Sequence, residues 1–356
     1  MPNENNNTTT QTENFICDVC NDQFDISNRY EGDIESHDNV CNSCLRSTFR
    51  YSDRQDLYVH SNNWDYDYHD YPEENNDDDY EEDRPESSEY IYGYSSGSFA
   101  RITPLFKSYE NFNNKSLTLG IENEVQVRSS SRLSRGDLAY NITQHDLKNF
   151  CECKEDSSIG YGFEIVSKPA TFEYHKTAWD IFFQNTAQYL RSYRDNTTGL
   201  HIHVNQSYFS KVAVGKILYF INVATNEKFI DDISGRKQTE YCYRKRDVKI
   251  KDVLSYRERG AFHIFVSRTK THEFRCFSGN VKKESFFKTL EFAVALSKYS
   301  MTECPINPTY LDFISFVRSQ HFLYPYLFNW LIKRNYLDIK NLKRIKPKRH
   351  FYKKGK

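Results

Sequence analysis

Three short segments of the sequence each contain two ionisable side chains spaced two residues apart. They are the pairs Glu122/Glu124, His201/His203 and Glu273/Arg275, and Glu164 adds a lone carboxylate among apolar residues. Side chains at this spacing on a β-strand point to the same face of a sheet. If the strands are neighbours, the shared face is crowded with charge, which is unfavourable unless a cation lies on it. Carboxylates favour Mg or Mn, and carboxylates mixed with imidazoles also suit Zn.

Each pair taken alone has an ordinary explanation. An E-x-E pair is usually solvated, a lone H-x-H is more often not a metal site, and an E-x-R pair on a surface contributes less than about 1 kcal/mol. Their combination predicts one metal- and nucleotide-binding catalytic domain over residues 117–280. Arg275 is suited to binding phosphate. Arg257 and Arg259 are further candidates for binding phosphate, or solvated loop charges.

The order of these motifs resembles the amidoligase family. The motifs are G-x-E-x-E at 120–124, D-x-S at 156–158, G-x-E-I-V-S-x-P at 162–169, G-L-H-x-H-V at 199–204 and E-F-R at 273–275. Ser157 stands where the family often has Gly, and residues 277–280 are a loose version of the segment after E-F-R. The resemblance implies a glutamine-synthetase-like carboxylate–amine ligase fold and an ATP-dependent enzyme that forms amide or isopeptide bonds.

The resemblance also implies a role for each side chain. Arg275 would stabilise the transferring γ-phosphoryl group, and Asp156 or Glu164 would accept the proton of the amine. Two Mg or Mn ions would neutralise charge during phosphoryl transfer. Glu122, Glu273 and either His201 or His203 would hold the first ion at the ATP phosphates, and Glu124 and Glu164 the second ion near the substrate carboxylate.

Two cysteine pairs near the N-terminus predict a second metal site. Cys17 and Cys20 are separated by two residues, as are Cys41 and Cys44, and twenty residues lie between the pairs. Four thiolates at such spacing typically hold a structural zinc ion. A unit of this size cannot fold on its own core, so the metal is expected to supply its folding energy. We interpret residues 15–50 as a zinc-ribbon-like module.

Charge divides the chain of 356 residues into an acidic and a basic part. Residues 1–100 contain 24 Asp/Glu, 5 Arg and no Lys, and the remainder contains 25 acidic and 43 basic residues. This predicts disordered residues at 1–14, the zinc module at 15–50, an acidic disordered linker at 51–100, a catalytic domain at 101–300, C-terminal helices at 301–335 and a basic tail at 336–356. The tail is interpreted as a solvated segment, or one that binds the linker or nucleic acid.

Periodicity in the last 256 residues predicts an α+β fold. Strands are expected at 117–127, 163–167 and 200–205, with a hairpin at 261–267 and 271–277. Helices are expected at 138–150, 172–191, 211–224, 284–299 and 311–331. Together they predict a mainly antiparallel sheet with helices packed on one face.

Other functions are compatible with the same residues. A metal-dependent hydrolase would use the same E-x-E and H-x-H ligands without ATP, and a non-catalytic binding protein would keep the zinc module and a ligase-like fold. The expected substrates are small-molecule or peptide carboxylates and amines. A protein or nucleic-acid partner is possible through the zinc module or the basic tail. The absence of a signal-peptide pattern and of a long apolar run predicts a reduced, cytoplasmic protein without membrane association.

Overall fold

The chain divides into two units, one formed by Met1–Asn75 with Ile332–Lys356 and the other by Asn76–Leu331. The structure is a computed structural model. It describes residues 14–25, 28–29, 34, 39–52, 57–61, 89–93, 103–192, 198–236, 242–244, 260–266, 269–302 and 305–338. Among them, no helix is both long and apolar enough to cross a membrane. Residues 1–13 of the predicted disordered N-terminus and residues 339–356 of the basic tail lie outside the described residues, whereas residue 14 begins a strand.

Where the structure describes it, the first unit contains two small hairpins and one short helix. Strand β1 (Asn14–Ile16) pairs with β2 (Gln23–Asp25), helix α1 spans Asn42–Thr48, and β3 (Phe49–Ser52) pairs with β4 (Leu57–His60). Among its described residues, six buried side chains form the core: Phe15, Cys17, Val40, Cys41, Leu45 and Phe49. Two of these six are cysteines, so the apolar core is small and the thiols belong to it.

The second unit is built on a mixed, mostly antiparallel sheet. Among the described residues its strands are β5 (Ile91–Tyr92), β6 (Leu119–Val127), β7 (Cys151–Lys154), β8 (Gly162–Ser167), β9 (Leu190–Arg191), β10 (Gly199–Asn205), β11 (Phe262–Val266) and β12 (Thr271–Ser278). The order across the sheet is β11-β12-β10-β6-β8-β7-β5, β9 also pairs with β6, and only the β5–β7 pair is parallel. The predicted α+β fold with a mainly antiparallel sheet is confirmed.

Among the described residues, seven further α-helices lie between β6 and β11 or after β12 in sequence. They are α2 (Arg135–Asn141), α3 (Phe172–Gln184), α4 (Lys211–Asn222), α5 (Glu227–Ser234), α6 (Lys283–Met301), α7 (Tyr310–Ser319) and α8 (Pro325–Lys333). Most of α6 is buried, and its Phe292 ring lies 5.8 Å from the ring of Phe277 on β12. The apolar face of the sheet therefore packs against α6.

Three helix predictions were wrong in their extent. The predicted helix at 138–150 begins at Arg135, passes into a π-turn at Ile142–Asp146, and ends before the left-handed Asn149 (φ 61°). The chain reverses there and enters the unpredicted strand β7. The predicted segment 311–331 is two helices, because the residue before Pro325 is disfavoured in the α conformation and Tyr324 is non-helical. The helix predicted at 172–191 ends at Gln184, and the last two residues of the predicted segment form β9.

The interval 51–100, predicted as a disordered linker, contains paired backbone in its described part. Residues 51–52 complete β3, β4 lies at 57–60, and β5 adds a parallel edge strand beside β7. Tyr92 O accepts the backbone N–H of Glu155 at 2.9 Å, and the Tyr90 and Tyr140 rings meet edge to face at 4.9 Å. The acidic core of the interval, residues 73–83, lies outside the described residues.

A bulge in β12 sets which of its side chains reach the polar face. Leu200 is opposite Phe277 and Ile202 is opposite Phe274, so Arg275 and Cys276 together face the single residue His201. An extra residue of this kind changes the alternation of the strand. Phe277 therefore lies on the apolar side, with its ring 6.3 Å from that of Phe274.

Candidate functional site

Register brings the ionisable residues of four strands onto one face of the sheet. His201 is opposite Glu122, His203 is opposite Glu273, and Glu124 is opposite Glu164. Directly opposed residues on neighbouring strands have side chains on the same face. Because β12, β10, β6 and β8 are consecutive across the sheet, the three predicted pairs and Glu164 converge as the sequence predicts.

Glu122, His203 and Glu273 form a first group of possible metal ligands, which we call group one. Their ligand atoms all lie within 4.8 Å of one another. His203 Nε2 lies 3.2 Å from Glu122 Oε1 and 3.8 Å from Glu273 Oε1. Neither carboxylate oxygen has hydrogen-bond geometry toward Nε2, and among the described residues this buried nitrogen has no other hydrogen-bond partner. A divalent ion, with ligands at roughly 2.0–2.2 Å, would give it one.

Glu122 also belongs to a second group of possible ligands, with Glu164 and His201, which we call group two. The ligand atoms of group two again lie within 4.8 Å of one another. His201 Nδ1 lies 3.5 Å from Glu122 Oε2 and 3.7 Å from Glu273 Oε1. Glu122 is thus shared by the two groups, and one carboxylate can contribute a ligand atom to two neighbouring positions.

The charges in group one hold each other in their ionised forms. Burial opposes ionisation of Glu122, but the charges of His203 and His201 keep its pKa well below the usual range. Burial also opposes ionisation of Glu273, but the charge of His203 and the hydrogen bond from His263 bring its pKa to about 2. Burial disfavours protonation of His203, yet the charges of Glu122 and Glu273 raise its pKa to about 9.

Glu164 shows the opposite effect in group two. Burial raises its pKa well above the usual range, and the charges of Glu122, Glu124 and Asp156 raise it further. Glu164 therefore lies in an environment that disfavours another negative charge. A divalent cation in group two would reverse that penalty. The two groups together offer carboxylate oxygens and imidazole nitrogens, a set of donors that fits Mg, Mn or Zn.

Side chains around group one orient its members. Thr271 Oγ1 lies 2.9 Å from Nδ1 of His203 and 2.6 Å from Thr269 Oγ1. Arg275 donates to Oε1 of Glu273, and His263 Nδ1 lies 3.4 Å from its Oε2. A hydrogen bond to the far nitrogen of a histidine fixes the ring orientation that metal binding requires.

His263 is a site residue that the sequence analysis did not find. It lies opposite Glu273 in the β11–β12 hairpin, so its side chain points to the polar face. The signal was available, because the predicted hairpin fixes which residues oppose each other. Arg257 and Arg259, predicted to bind phosphate, lie outside the described residues.

Glu124 lies on the same face but belongs to neither group one nor group two, and its role as a ligand of the second ion stays a prediction. Its Oε2 accepts the backbone N–H of Gly199 at the start of β10, and its Oε1 is 4.0 Å from His201 Nε2. Burial raises the pKa of Glu124, whereas the charges of His201 and Arg236 lower it. This carboxylate is therefore engaged by the backbone, and Arg236 is a second residue that the sequence analysis did not find.

Asp156 lies in the turn between β7 and β8, at the edge of the same face. Its Oδ1 accepts hydrogen bonds from the backbone N–H (2.8 Å) and the hydroxyl (2.7 Å) of Ser158. The side chain is half-buried, and its charge contributes to the raised pKa values of Glu124 and Glu164. Ser158 is held as a hydrogen-bond donor to this carboxylate.

The four N-terminal cysteines converge in the first unit. Their sulfur atoms all lie within 4.8 Å of one another and could hold a structural metal such as zinc. Cys17 and Cys20 lie in the turn between β1 and β2, where Cys17 O accepts the N–H of the left-handed Asn21 (φ 59°). Cys41 caps α1 and Cys44 lies in its first turn, so the second pair is on a helix and not on a second hairpin.

The environment of these thiols favours a thiolate at Cys17. Burial opposes its ionisation, but backbone N–H groups, including that of Cys41 at 3.3 Å from Sγ, bring its pKa to about 6. Burial raises the pKa of Cys44, and the neighbouring thiols raise it further. A second thiolate is therefore disfavoured without a cation, as expected for a cluster whose ionisation depends on metal.

No protein-family model matches the chain, and no curated protein sequence matches it significantly. The geometry of the two sites is therefore the main guide to the function of this protein.

Proposed function

We propose that the second unit is an ATP- and divalent-metal-dependent carboxylate–amine ligase. The observation that carries this proposal is that two groups of possible metal ligands share Glu122, with Arg275 bonded to Glu273 of group one. Two adjacent divalent ions beside an arginine are the arrangement that phosphoryl transfer uses. The motif order that resembles the amidoligase family directs this chemistry toward amide or isopeptide bonds.

Group one would hold one ion, through Glu122, His203 and Glu273, and group two the other, through Glu122, Glu164 and His201. When bound, the ions would neutralise phosphate and carboxylate oxygens, and ATP would supply the phosphoryl group that activates the carboxylate. Thr271 would keep the ring of His203 oriented, and Glu273 would hold Arg275 toward the transferred phosphoryl group.

The proposed reaction consists of two successive displacements. A carboxylate oxygen of the acid substrate attacks the γ-phosphorus, and the bond to ADP breaks. The amine nitrogen then attacks the acyl carbon, inorganic phosphate leaves, and the amine proton passes to a carboxylate of the protein. Glu164 and Asp156 are the candidates for this acceptor, and Asp156 is the one that belongs to neither group of possible metal ligands.

Calorimetric titration with ATP in the presence of Mn²⁺ tests the proposal. The full chain should bind ATP only with the metal, and Glu122→Gln and Arg275→Ala should each weaken that binding strongly. The matched control is Glu173→Gln, which removes a surface carboxylate that pairs with Lys176 on α3. Wild-type protein without metal-dependent ATP affinity contradicts the ligase. Metal binding with nucleotide-independent hydrolysis would instead identify a hydrolase.

In the first unit we propose that the bound metal is zinc and that its role is structural. Four thiolates complete a tetrahedral shell and leave no position open for a substrate. Elemental analysis of the purified full chain, with and without substitution of Cys20 by Ser, measures this directly. One zinc per chain is expected in the wild type and none in the variant.

A further inference from the structure

Arg236 lies beside the candidate metal ligands, although it belongs to none of the sequence motifs that contain them. It follows α5 directly, after Gly235, whose left-handed conformation (φ 61°) ends the helix. A Cβ at Gly235 would come within 3.1 Å of Ser278 Oγ, which itself donates to Ser234 O at 3.2 Å. The end of α5 is therefore fixed against the end of β12, and the direction in which Arg236 leaves the helix is set.

The guanidinium of Arg236 lies beside His201 and Glu124. A Cβ placed on Gly199 would stand 2.6 Å from Arg236 Nη1, 3.0 Å from His201 Nε2 and 3.5 Å from Glu124 Oε2. These three polar atoms therefore surround one point at the start of β10. Gly199 leaves room for them, because any side chain there would displace the guanidinium or the imidazole.

Arg236 and Arg275 are next to different candidate metal ligands. Arg275 is bonded to Glu273 of group one, whereas Arg236 is grouped with His201, a member of group two. With the two proposed ions bound, the charge of the surrounding carboxylates would be offset, and a cationic side chain beside group two would then favour a ligand with anionic oxygens. A planar guanidinium presents paired donors to carboxylate and phosphate oxygens.

We propose that Arg236 binds an oxyanion of the substrates beside group two, as the counterpart of Arg275 beside group one. This inference rests on the proposed function, because the oxyanion is the one that the two ions position. The oxyanion is either the γ-phosphoryl group of ATP or the carboxylate of the acid substrate. Inorganic phosphate has the shared chemistry and serves as the probe.

The test compares phosphate binding with metal binding in the same protein. Mn²⁺ affinity is measured by electron paramagnetic resonance, and phosphate affinity by the broadening of its ³¹P resonance on Mn²⁺-loaded full chain. Arg236→Gln should weaken phosphate binding about 10- to 100-fold, as the loss of hydrogen bonds to a charged group does. Its Mn²⁺ affinity should stay the same or rise, because a positive charge near the ions has been removed.

Two further variants separate binding from folding. Arg236→Lys keeps the charge but not the planar fork, so phosphate affinity should fall between those of wild type and Arg236→Gln. Lys228→Gln removes an exposed positive charge from α5, where Lys228 pairs with Asp232, and should bind phosphate as the wild type does. If Arg236→Gln misfolds, circular dichroism reports it, and Arg236→Lys alone decides.

The outcomes distinguish this inference from the proposed function. Wild-type protein that binds no Mn²⁺ overturns both. Normal Mn²⁺ binding with unchanged phosphate affinity in Arg236→Gln and Arg236→Lys overturns the inference alone. With phosphate weakened as expected, ATP weakened more than ADP identifies the γ-phosphoryl group as the partner. Equal nucleotide affinities in wild type and variant identify the substrate carboxylate.

Discussion

The thiol cluster of the first unit and the carboxylate–imidazole face of the second relate to their folds in opposite ways. The thiols lie on a turn and a helix end, and two of them belong to the six buried side chains that form the core in the described part of this unit. The carboxylates and imidazoles lie on four strands of a large sheet whose other face packs against α6. We therefore expect the first unit to need a metal ion in order to fold, whereas the fold of the second unit should hold its candidate ligands in place without one.

Metal removal should give the largest difference between the two regions. A chelator should unfold the first unit, because structural zinc typically contributes about 10–16 kcal/mol to such modules. The second unit should keep its fold, because its apolar core does not depend on a metal. Hydrogen exchange of the full chain, followed separately for residues 14–49 and 119–127, measures both responses. Loss of protection in both regions would contradict the expectation that only the first unit depends on a metal ion for its fold.

Substitution of Glu122 should separate ligand sharing from two independent sites. Glu122→Gln should lower the affinity for both Mn²⁺ ions by roughly 100-fold or more. Losing a ligand should lower metal affinity by more than the 10–100-fold that is typical when a residue hydrogen-bonded to a ligand is lost. Glu164→Gln should lower the affinity for one Mn²⁺ ion only, because Glu164 belongs to group two alone. Mn²⁺ stoichiometry by paramagnetic resonance checks both. Equal effects of the two variants would argue against sharing.

A buried carboxylate outside the site shows burial prevailing over the charges around it. Glu291 on α6 is fully buried, and its Oε2 accepts the N–H of Leu327 at 2.7 Å. Burial raises its pKa to about 8, and the bond from Leu327 only partly opposes this. Glu291 is therefore mainly neutral at pH 7, whereas Glu122 and Glu273 are ionised beside His203.

Stability should accordingly fall as pH rises between about 4.5 and 8, by up to about 1.4 kcal/mol per pH unit from this group. Over that range the unfolded state has lost the proton that the folded state retains, so the sign is destabilising. Glu291→Gln removes this contribution and keeps an oxygen for the N–H of Leu327. Urea unfolding of both proteins at pH 5 and pH 8 measures the difference, which should be absent if Glu291 is ionised in the fold.

The smallest expected effect concerns the orientation of His203. Thr271→Val removes the hydroxyl 2.9 Å from Nδ1 and should weaken metal binding about 10-fold, with little effect on stability. Thr177→Val, on the exposed side of α3, is the matched control. Mn²⁺ affinity unchanged in Thr271→Val would mean that the strands alone orient the ring.

The sequence predicts the parts of the site that depend on local alternation. Pairs spaced by two identify Glu122, His201, His203 and Glu273, because a strand fixes their common face whatever its neighbours are. The same rule places Glu124 on that face but does not show that the N–H of Gly199 engages its carboxylate. That engagement depends on where β10 begins, and the sequence does not contain the register between strands.

Residues that arrive from helix ends and turns were not predictable in this way. Arg236 is placed by the left-handed Gly235 and by contacts between α5 and β12, which join residues more than forty positions apart in sequence. Strand β7 was missed because it has only four residues and directly follows a segment with helical periodicity that ends in a π-turn. The cysteine spacing predicted the cluster, but not that its second pair begins a helix.

The bulge in β12 has a consequence for how this strand tolerates change over evolution. Glu273, Arg275 and Phe277 are evenly spaced in sequence, yet the first two line the polar face and the third packs against Phe292. Deleting one residue at 275–276 would leave a single side chain opposite His201 and keep Phe277 opposite Leu200. A deletion elsewhere in β12 would move the residues on one side of it to the opposite face of the sheet. At the bulge, relatives can therefore differ in length, whereas along the rest of the strand they should differ by substitution and not by insertion or deletion.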